Sequence, residues 1–155
     1  IRMNNDLILY TNPMSRGRIA RWMLEETGAS YETAQLDYDT SMKAPEFLAV
    51  NPMGKVPALK HGKNIVTECA AICAYLADAF PEAELAPATD KRADYYRWFF
   101  FAAGPFEAAV SNRSLGMEPA EGAEHPDAAA AAFGQPQSRH AIRHRLRQDT
   151  AYAGA

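Results

Sequence analysis

The sequence predicts an α/β domain with the element order β-α-β-α-β-β-α, followed by an incomplete all-α region. An apolar run at residues 7–10 and a weakly alternating segment at 31–36, both typical of strands, are interspersed with segments of helical periodicity, which favours a mixed four-stranded sheet with helices on both faces. A proline-led run at 56–59 and a second apolar run at 65–67 flank a turn of hairpin length. A proline-containing linker at 81–89 then precedes an aromatic segment of helical character.

Composition limits the partners that we expect the protein to have. The chain has 155 residues, of which 48% are hydrophobic and 23% charged, enough for one ordinary domain or for a small domain with an incomplete second one. Its net charge of −3 gives no reason to expect nucleic acid or an anionic membrane as a partner. The apolar runs at 98–103 and 128–133 are far shorter than a membrane span, and residues 1–6 do not resemble a signal peptide. We therefore expect a cytoplasmic protein.

The first predicted helix begins near Ser15 and stops at Gly28, because glycine readily adopts the left-handed conformation that ends helices. We expect its packed side to carry Ile19, Trp22, Met23 and Glu26, which recur on successive turns, with Leu24 beside them. Arg16 and Arg18 lie at the start of the helix, where the positive end of the helix dipole favours anions instead. This pattern suggests that an anion binds near the first turn.

A short, irregular helix within residues 41–50 leads to the most informative stretch of the chain. A turn containing proline and glycine comes first, followed by a strand with Pro57 at its head, a hairpin and a second strand. Glu68 and Cys69 then open a helix whose apolar residues recur at helical spacing. Because proline at the head of a strand leaves neighbouring backbone groups unpaired, these groups can pair with an extended ligand.

This order of features resembles the glutathione-binding half of the thioredoxin-like domain of glutathione transferases. The resemblance covers about residues 7–115 and rests on the Gly-Lys-Val-Pro-Ala-Leu stretch at 54–59, followed by Glu68 at a helix start. In that family the peptide bond before the proline is cis, the valine backbone pairs with glutathione, and a Glu-Ser pair holds the γ-glutamyl end. The resemblance implies that residues 1–80 form a thioredoxin-like, glutathione-binding domain.

The glutathione-binding residues that the resemblance implies are Lys43, Val56, Pro57, Glu68 and Cys69. Lys43 would meet the glycine carboxylate of glutathione. Cys69 replaces the usual serine, which exchanges a good hydrogen-bond donor for a weak one, so we expect weaker glutathione binding than with serine. Cys73 is expected in the core, and because no set of histidines accompanies the two cysteines, we predict no metal site.

Transfer of glutathione's thiol needs a thiolate, and the resemblance places the activating side chain in the turn between the first strand and the first helix. A helix N-terminus, nearby cations and a hydroxyl donor can each lower the pKa of a thiol. The candidates in this turn are Tyr10, Thr11, Asn12 and Ser15. We favour Ser15, because a hydroxyl at the helix start lies at the positive end of the dipole.

The segment after the linker is predicted to form a long helix from about Asp90 to Val110, broken near Gly104. Aromatic residues lie on both of its sides, so we expect one side to pack and the other to face a ligand or a second subunit. Tyr96 and Phe99 are the candidates for lining an electrophile pocket.

The predicted helical domain, residues 90–155, changes character at about residue 117. Beyond that point, large hydrophobic side chains are too few to offset the entropy lost on ordering the chain. We therefore expect residues 117–155 to be a truncated or out-of-frame continuation of this domain, with a divergent natural tail as the alternative.

The function that the resemblance implies is that of a bacterial-type glutathione transferase acting in detoxification. It would conjugate the glutathione thiolate to small electrophilic or hydrophobic substrates and would form a homodimer. The alternative is a non-catalytic glutathione-binding or protein-interaction module of the same fold. A thiol-disulfide oxidoreductase is less well supported, because the turn at residues 11–15 contains no cysteine.

Overall fold

A computed structural model describes residues 7–117 of the chain. These residues divide between two compact units, with the boundary between Ala103 and Gly104. The tail that the sequence singles out beyond residue 117 lies outside the described residues, and the predicted domain bounds and the linker at 81–89 stay predictions. Within the described part of the chain, no helix is both long and apolar enough to cross a membrane.

The first unit contains the predicted order of strands and helices. Its strands are β1 (Leu7–Thr11), β2 (Glu32–Gln35), β3 (Ala58–His61) and β4 (Asn64–Thr67). Its α-helices are α1 (Gly17–Thr27), α2 (Pro45–Leu48), α3 (Cys69–Ala79) and α4 (Arg92–Phe101). Short 3-10 turns lie at Ser41–Lys43, Pro81–Ala83 and Thr89–Lys91. The predicted break near Gly104 is a π-helical turn, Ala102–Phe106, and α5 (Glu107–Ser114) follows it.

The four strands form one mixed sheet in the order β2-β1-β3-β4. Strands β1 and β2 are parallel, whereas β3 runs antiparallel to both β1 and β4. Tyr10 near the end of β1 pairs with Ala58 at the start of β3, and Ala58 also pairs with Thr67 at the end of β4. The same end of the sheet therefore carries the segments that follow β1, precede β3 and follow β4.

Two clusters of buried side chains cover the two faces of this sheet. The larger cluster joins β1 and β3 to α1 and α3, and its largest fully buried side chains are Leu7, Leu9, Leu24, Leu59, Ile72 and Leu76. The smaller cluster contains Met42, Phe47 and Ala58, with Tyr10 packed against it. Since the residues of β1 and β3 alternate between these clusters, helices cover both faces and the predicted α/β, thioredoxin-like fold is confirmed.

The packed side of α1 differs from the side predicted from its bulky residues. Ala20 and Leu24 are fully buried, whereas Ile19 is 45% and Trp22 66% exposed. Small residues on the buried side let the helix backbone lie close to the sheet. The close packing gained in this way contributes more to stability than burial of the larger side chains would. The Trp22 indole N–H instead donates to Glu26 Oε1 at 2.8 Å on the exposed side. Of the predicted set, Met23 and the flanking Leu24 pack in the core.

Helix α4 is less buried than the helices that pack on the sheet. None of its residues is fully buried, but the half-buried residues Arg92, Tyr95 and Phe99 lie on one side of the helix, as predicted, and Tyr96, Trp98 and Phe100 are exposed. Its aromatic rings also contact one another along the helix, and the ring of Tyr95 lies 5.4 Å between centroids from those of Tyr96 and Phe99.

Candidate glutathione site

Three segments meet at the end of the sheet where β1 and β4 finish and β3 begins. They are the turn before α1, the Val56-Pro57 pair before β3 and the Glu68-Cys69 pair at the start of α3. The Cys69 thiol donates to the Arg16 carbonyl oxygen at 3.5 Å, which joins the start of α3 to the turn that precedes α1. The N-termini of α1 and α3 therefore lie beside each other. Each N-terminus carries a partial positive charge, because its first N–H groups have no partner within the helix.

The Val56-Pro57 peptide bond is cis, as the resemblance implies. Strand β3 begins at Ala58, one residue after the predicted head of the strand at Pro57, and Val56 lies outside the ladder of the sheet. Among residues 7–117, the N–H and C=O groups of Val56 have no backbone hydrogen-bond partner. Val56 is half-buried and Pro57 buried, so part of Val56 stays accessible to a peptide-like ligand that could pair with these groups.

The turn that presents Val56 is held by a buried asparagine that the sequence analysis did not single out. Asn51, 5% exposed, donates from Nδ2 to the Lys55 carbonyl at 2.8 Å and accepts the Met53 N–H at 3.1 Å. Lys43 donates from Nζ to the Gly54 carbonyl at 2.9 Å. The signal for Asn51 was its place before proline in a turn, where asparagine side chains often bond the backbone two residues ahead. Lys43 thus lies beside the predicted site.

Glu68 has an unusual backbone conformation. The residue has φ 68 and ψ 124, which is rare for a residue with a side chain and costs about 1–3 kcal/mol. Helix α3 begins at Cys69, one residue later than predicted, and Glu68 precedes it with no side-chain hydrogen bond that caps the helix. Its side chain is exposed at the same end of the sheet as Val56. Such outliers concentrate at functional sites, which supports the predicted role of Glu68.

The two cysteines of α3 have different environments. Cys69 is half-buried in the first position of the helix, whereas Cys73 is 8% exposed. The hydrogen bond between Cys73 and the Cys69 thiol, together with burial, raises the pKa of Cys73 above its usual value. Cys73 is therefore a core thiol, as predicted, and Cys69 is the thiol that borders the candidate site.

Two of the four candidates for thiol activation have other roles in the structure. The Tyr10 ring packs 5.4 Å from that of Phe47, within the smaller core cluster. Asn12, 7% exposed, donates to the Leu36 carbonyl at 2.8 Å and accepts the Met14 N–H at 2.9 Å. Asn12 therefore fixes the turn and ties it to the end of β2.

Ser15 and Thr11 carry the remaining hydroxyl groups. Helix α1 begins at Gly17, two residues later than predicted, and the Ser15 Oγ accepts the Gly17 N–H at 3.0 Å. The Ser15 hydroxyl donates to the Asn12 carbonyl at 2.7 Å, but that carbonyl also accepts the Ser15 N–H at 3.0 Å. The hydroxyl can therefore turn to a ligand without leaving the carbonyl unpaired. The Thr11 side chain is buried.

The aromatic residues predicted to line an electrophile pocket belong to α4. Arg92 donates to Asp78 at 2.7 Å and to the Tyr96 hydroxyl at 3.3 Å, so α4 is tied to α3 at this point. Within residues 7–117, no hydrogen bond, ion pair or ring contact joins Tyr96 or Phe99 to Ser15. The pocket role of both residues stays a prediction. No group of three potential metal ligands is found in the described part of the chain.

Comparison with known proteins agrees with this geometry. Residues 5–78 match the model of the glutathione S-transferase N-terminal domain. Glutathione S-transferase 3 of Zea mays is 37% identical over 97 residues, which make up 59% of this chain and 43% of that relative. The chain spans less than half the length of the curated relatives that it matches.

Solved structures that are similar to this chain are also glutathione transferases. A glutathione transferase from Methylococcus capsulatus is 29% identical with a TM-score of 0.66, and the match covers 92% of this chain and 70% of that one. A glutathione transferase homologue from Sulfitobacter, crystallised with bound glutathione, is 26% identical with a TM-score of 0.62 and coverage of 93% and 70%. Residues 5–78 of the chain are therefore a glutathione S-transferase N-terminal domain, and the similar relatives and solved structures point to the same family.

Proposed function

We propose that the end of the sheet at Val56, Glu68 and Ser15 binds glutathione and that the chain transfers the glutathione thiol to small electrophiles. The observation that carries the binding proposal is the backbone of Val56, which has no backbone hydrogen-bond partner among residues 7–117 and lies at the end of the sheet where α1 and α3 start. An extended tripeptide can pair with this backbone as an additional strand would. The bound glutathione of the Sulfitobacter homologue supports the choice of ligand.

Two charged side chains near Val56, those of Glu68 and Lys43, suit the two charged ends of glutathione. The exposed carboxylate of Glu68 would accept the α-amino group of the γ-glutamyl end in a charge-assisted hydrogen bond. Lys43 would contact the glycine carboxylate, because its ammonium group has three donors and Gly54 uses one.

Ser15 is the proposed activating residue. Its hydroxyl would donate to the glutathione sulfur and favour the thiolate, with the N–H groups of α1 adding partial positive charge. The thiol proton leaves to solvent, the sulfur forms a bond to the electrophilic carbon, and the leaving group departs with its electron pair. Orientation and thiolate stabilisation would supply most of the rate enhancement.

Calorimetric titration of the chain with glutathione tests the binding site. Glu68→Gln keeps the size of the side chain but removes its charge, so we expect about tenfold weaker binding, or about 1.4 kcal/mol. Glu84→Gln is the matched control, because Glu84 is also exposed with a positive φ of 52 but lies after α3. Equal affinity of the Glu68→Gln variant and the unaltered chain would contradict the proposal.

A second candidate is a glutathione-binding or protein-interaction module without transferase activity. It is favoured by the Ser15 hydroxyl, which in this structure donates to Asn12, and by the lack of contacts between Tyr96 and Ser15 in the described residues. A chlorodinitrobenzene conjugation assay distinguishes the two. Glutathione binding without conjugation above the uncatalysed rate would favour the module.

A further inference from the structure

Gly17, the first residue of α1, makes an unusually close approach to Ser15 and Thr11. A Cβ atom at this position would overlap Thr11 Oγ1 and would lie 2.9 Å from Ser15 Oγ. The φ of Gly17 is not positive, unlike those of Gly28 and Gly54. Lack of space, rather than backbone conformation, therefore requires glycine here.

This approach fixes the hydrogen bond that the Ser15 oxygen accepts. With no side chain between them, the Gly17 N–H reaches Ser15 Oγ at 3.0 Å. Thr11, 8% exposed, fills the space on the other side of Gly17, and its hydroxyl has no hydrogen-bond partner among residues 7–117. The buried Thr11 side chain thus packs against Gly17 and leaves the start of α1 little room to move away from Ser15.

We propose that Gly17 is a positioning residue for Ser15. It keeps a helix N-terminal N–H on the Ser15 oxygen, and a hydroxyl that accepts such a bond is a stronger donor to a bound thiolate. This inference rests on the proposed function, because it assigns Gly17 a part in the same thiol activation. In this role Gly17 would act through Ser15 and would not itself contact the thiol.

The pKa of the bound glutathione thiol, followed by the ultraviolet absorbance of the thiolate, tests this assignment in the full chain. Gly17→Ala adds a methyl group that pushes Ser15 Oγ away from the N–H. We expect the thiol pKa to rise by about one unit, or about tenfold in the acid dissociation constant, with glutathione affinity changed less than about twofold. Gly104→Ala is the control, because a Cβ there meets nothing within 4 Å and no shift is expected.

Ser15→Ala, measured in the same way, separates failure of this inference from failure of the proposed function. If Ser15→Ala leaves the thiol pKa unchanged, Ser15 does not activate the thiol and the proposed function is wrong on that point. If Ser15→Ala raises the thiol pKa but Gly17→Ala does not, only the positioning role of Gly17 is wrong. In the Ser15→Ala background, Gly17→Ala should add no further shift.

A double variant covers the case in which Gly17→Ala alone does not fold. Thr11→Ala removes the Oγ1 atom that the new methyl group overlaps, but it leaves the 2.9 Å approach to Ser15 Oγ. We therefore expect the Thr11→Ala/Gly17→Ala chain to fold and still to show the raised thiol pKa. A folded double variant with the thiol pKa of the unaltered chain would overturn the inference.

Discussion

Cys69 stands at the position where the resemblance implies a serine. A hydroxyl is a stronger hydrogen-bond donor than a thiol, and the difference is expected to be about 1 kcal/mol, or about fivefold in the dissociation constant. We therefore predict that Cys69→Ser binds glutathione about fivefold more tightly in calorimetry. Cys73→Ser makes the same exchange one turn further along α3, in the core, and should leave the affinity unchanged. An unchanged dissociation constant for Cys69→Ser would refute the role of Cys69.

The thiols of α3 should also differ in reactivity with pH. Hydrogen bonding to Cys69 and burial raise the pKa of Cys73, so its neutral form is favoured in the folded state. This contribution to stability is fully present below the usual thiol pKa of about 8.5 and is lost as the pH rises through the raised value. We predict that iodoacetamide at pH 8 modifies Cys69 but not Cys73 in the folded chain, and both thiols in urea. Equal rates of modification of the two thiols in the folded chain, measured by peptide mass mapping, would contradict this prediction.

At the scale of the element, the packed side of α1 predicts which substitutions destabilise the fold. Leu24 is fully buried in the larger core cluster, so Leu24→Ala should lower the free energy of unfolding by about 2–5 kcal/mol. Ile19 is 45% exposed on the same helix, and Ile19→Ala should change it by only about 0.5 kcal/mol. Urea unfolding of both variants measures the difference. A larger loss for Ile19→Ala would mean that the side predicted from the sequence is the packed one.

The elements differ in how far the sequence could predict them. β1 and the β3-β4 hairpin were predictable because continuous apolar runs bounded by turn residues have few alternatives. Val56, Pro57 and Glu68 followed from a motif that is local in sequence, and the register brings them together as the resemblance implies.

Other features depend on packing that the sequence does not display. The burial of Ala20 rather than Ile19 depends on how closely α1 approaches the sheet. Gly17 was missed for the same reason, because a glycine required by space has no local signal when its φ is ordinary. The backbone conformation of Glu68 also could not be predicted, since a positive φ is expected at glycine or asparagine.

At the scale of the whole molecule, we propose that the chain forms a homodimer. Exposed aromatic side chains on α4, with Trp98 55% and Phe100 62% exposed, provide apolar surface that a second subunit could cover. Sedimentation equilibrium should therefore give twice the mass of one chain. The Trp98→Ser substitution should shift the monomer–dimer equilibrium towards the monomer. The mass of a single chain at every concentration would contradict the proposal.

The account as a whole depends on the binding of glutathione at the end of the sheet, and an NMR titration of the isotope-labelled chain with glutathione tests this most directly. We predict saturable chemical-shift changes at the backbone amides of Val56, Glu68 and Ser15, with little change in the exposed side of α1 around Trp22. The absence of saturable changes, or saturable changes confined to α1 and α4, would contradict the account.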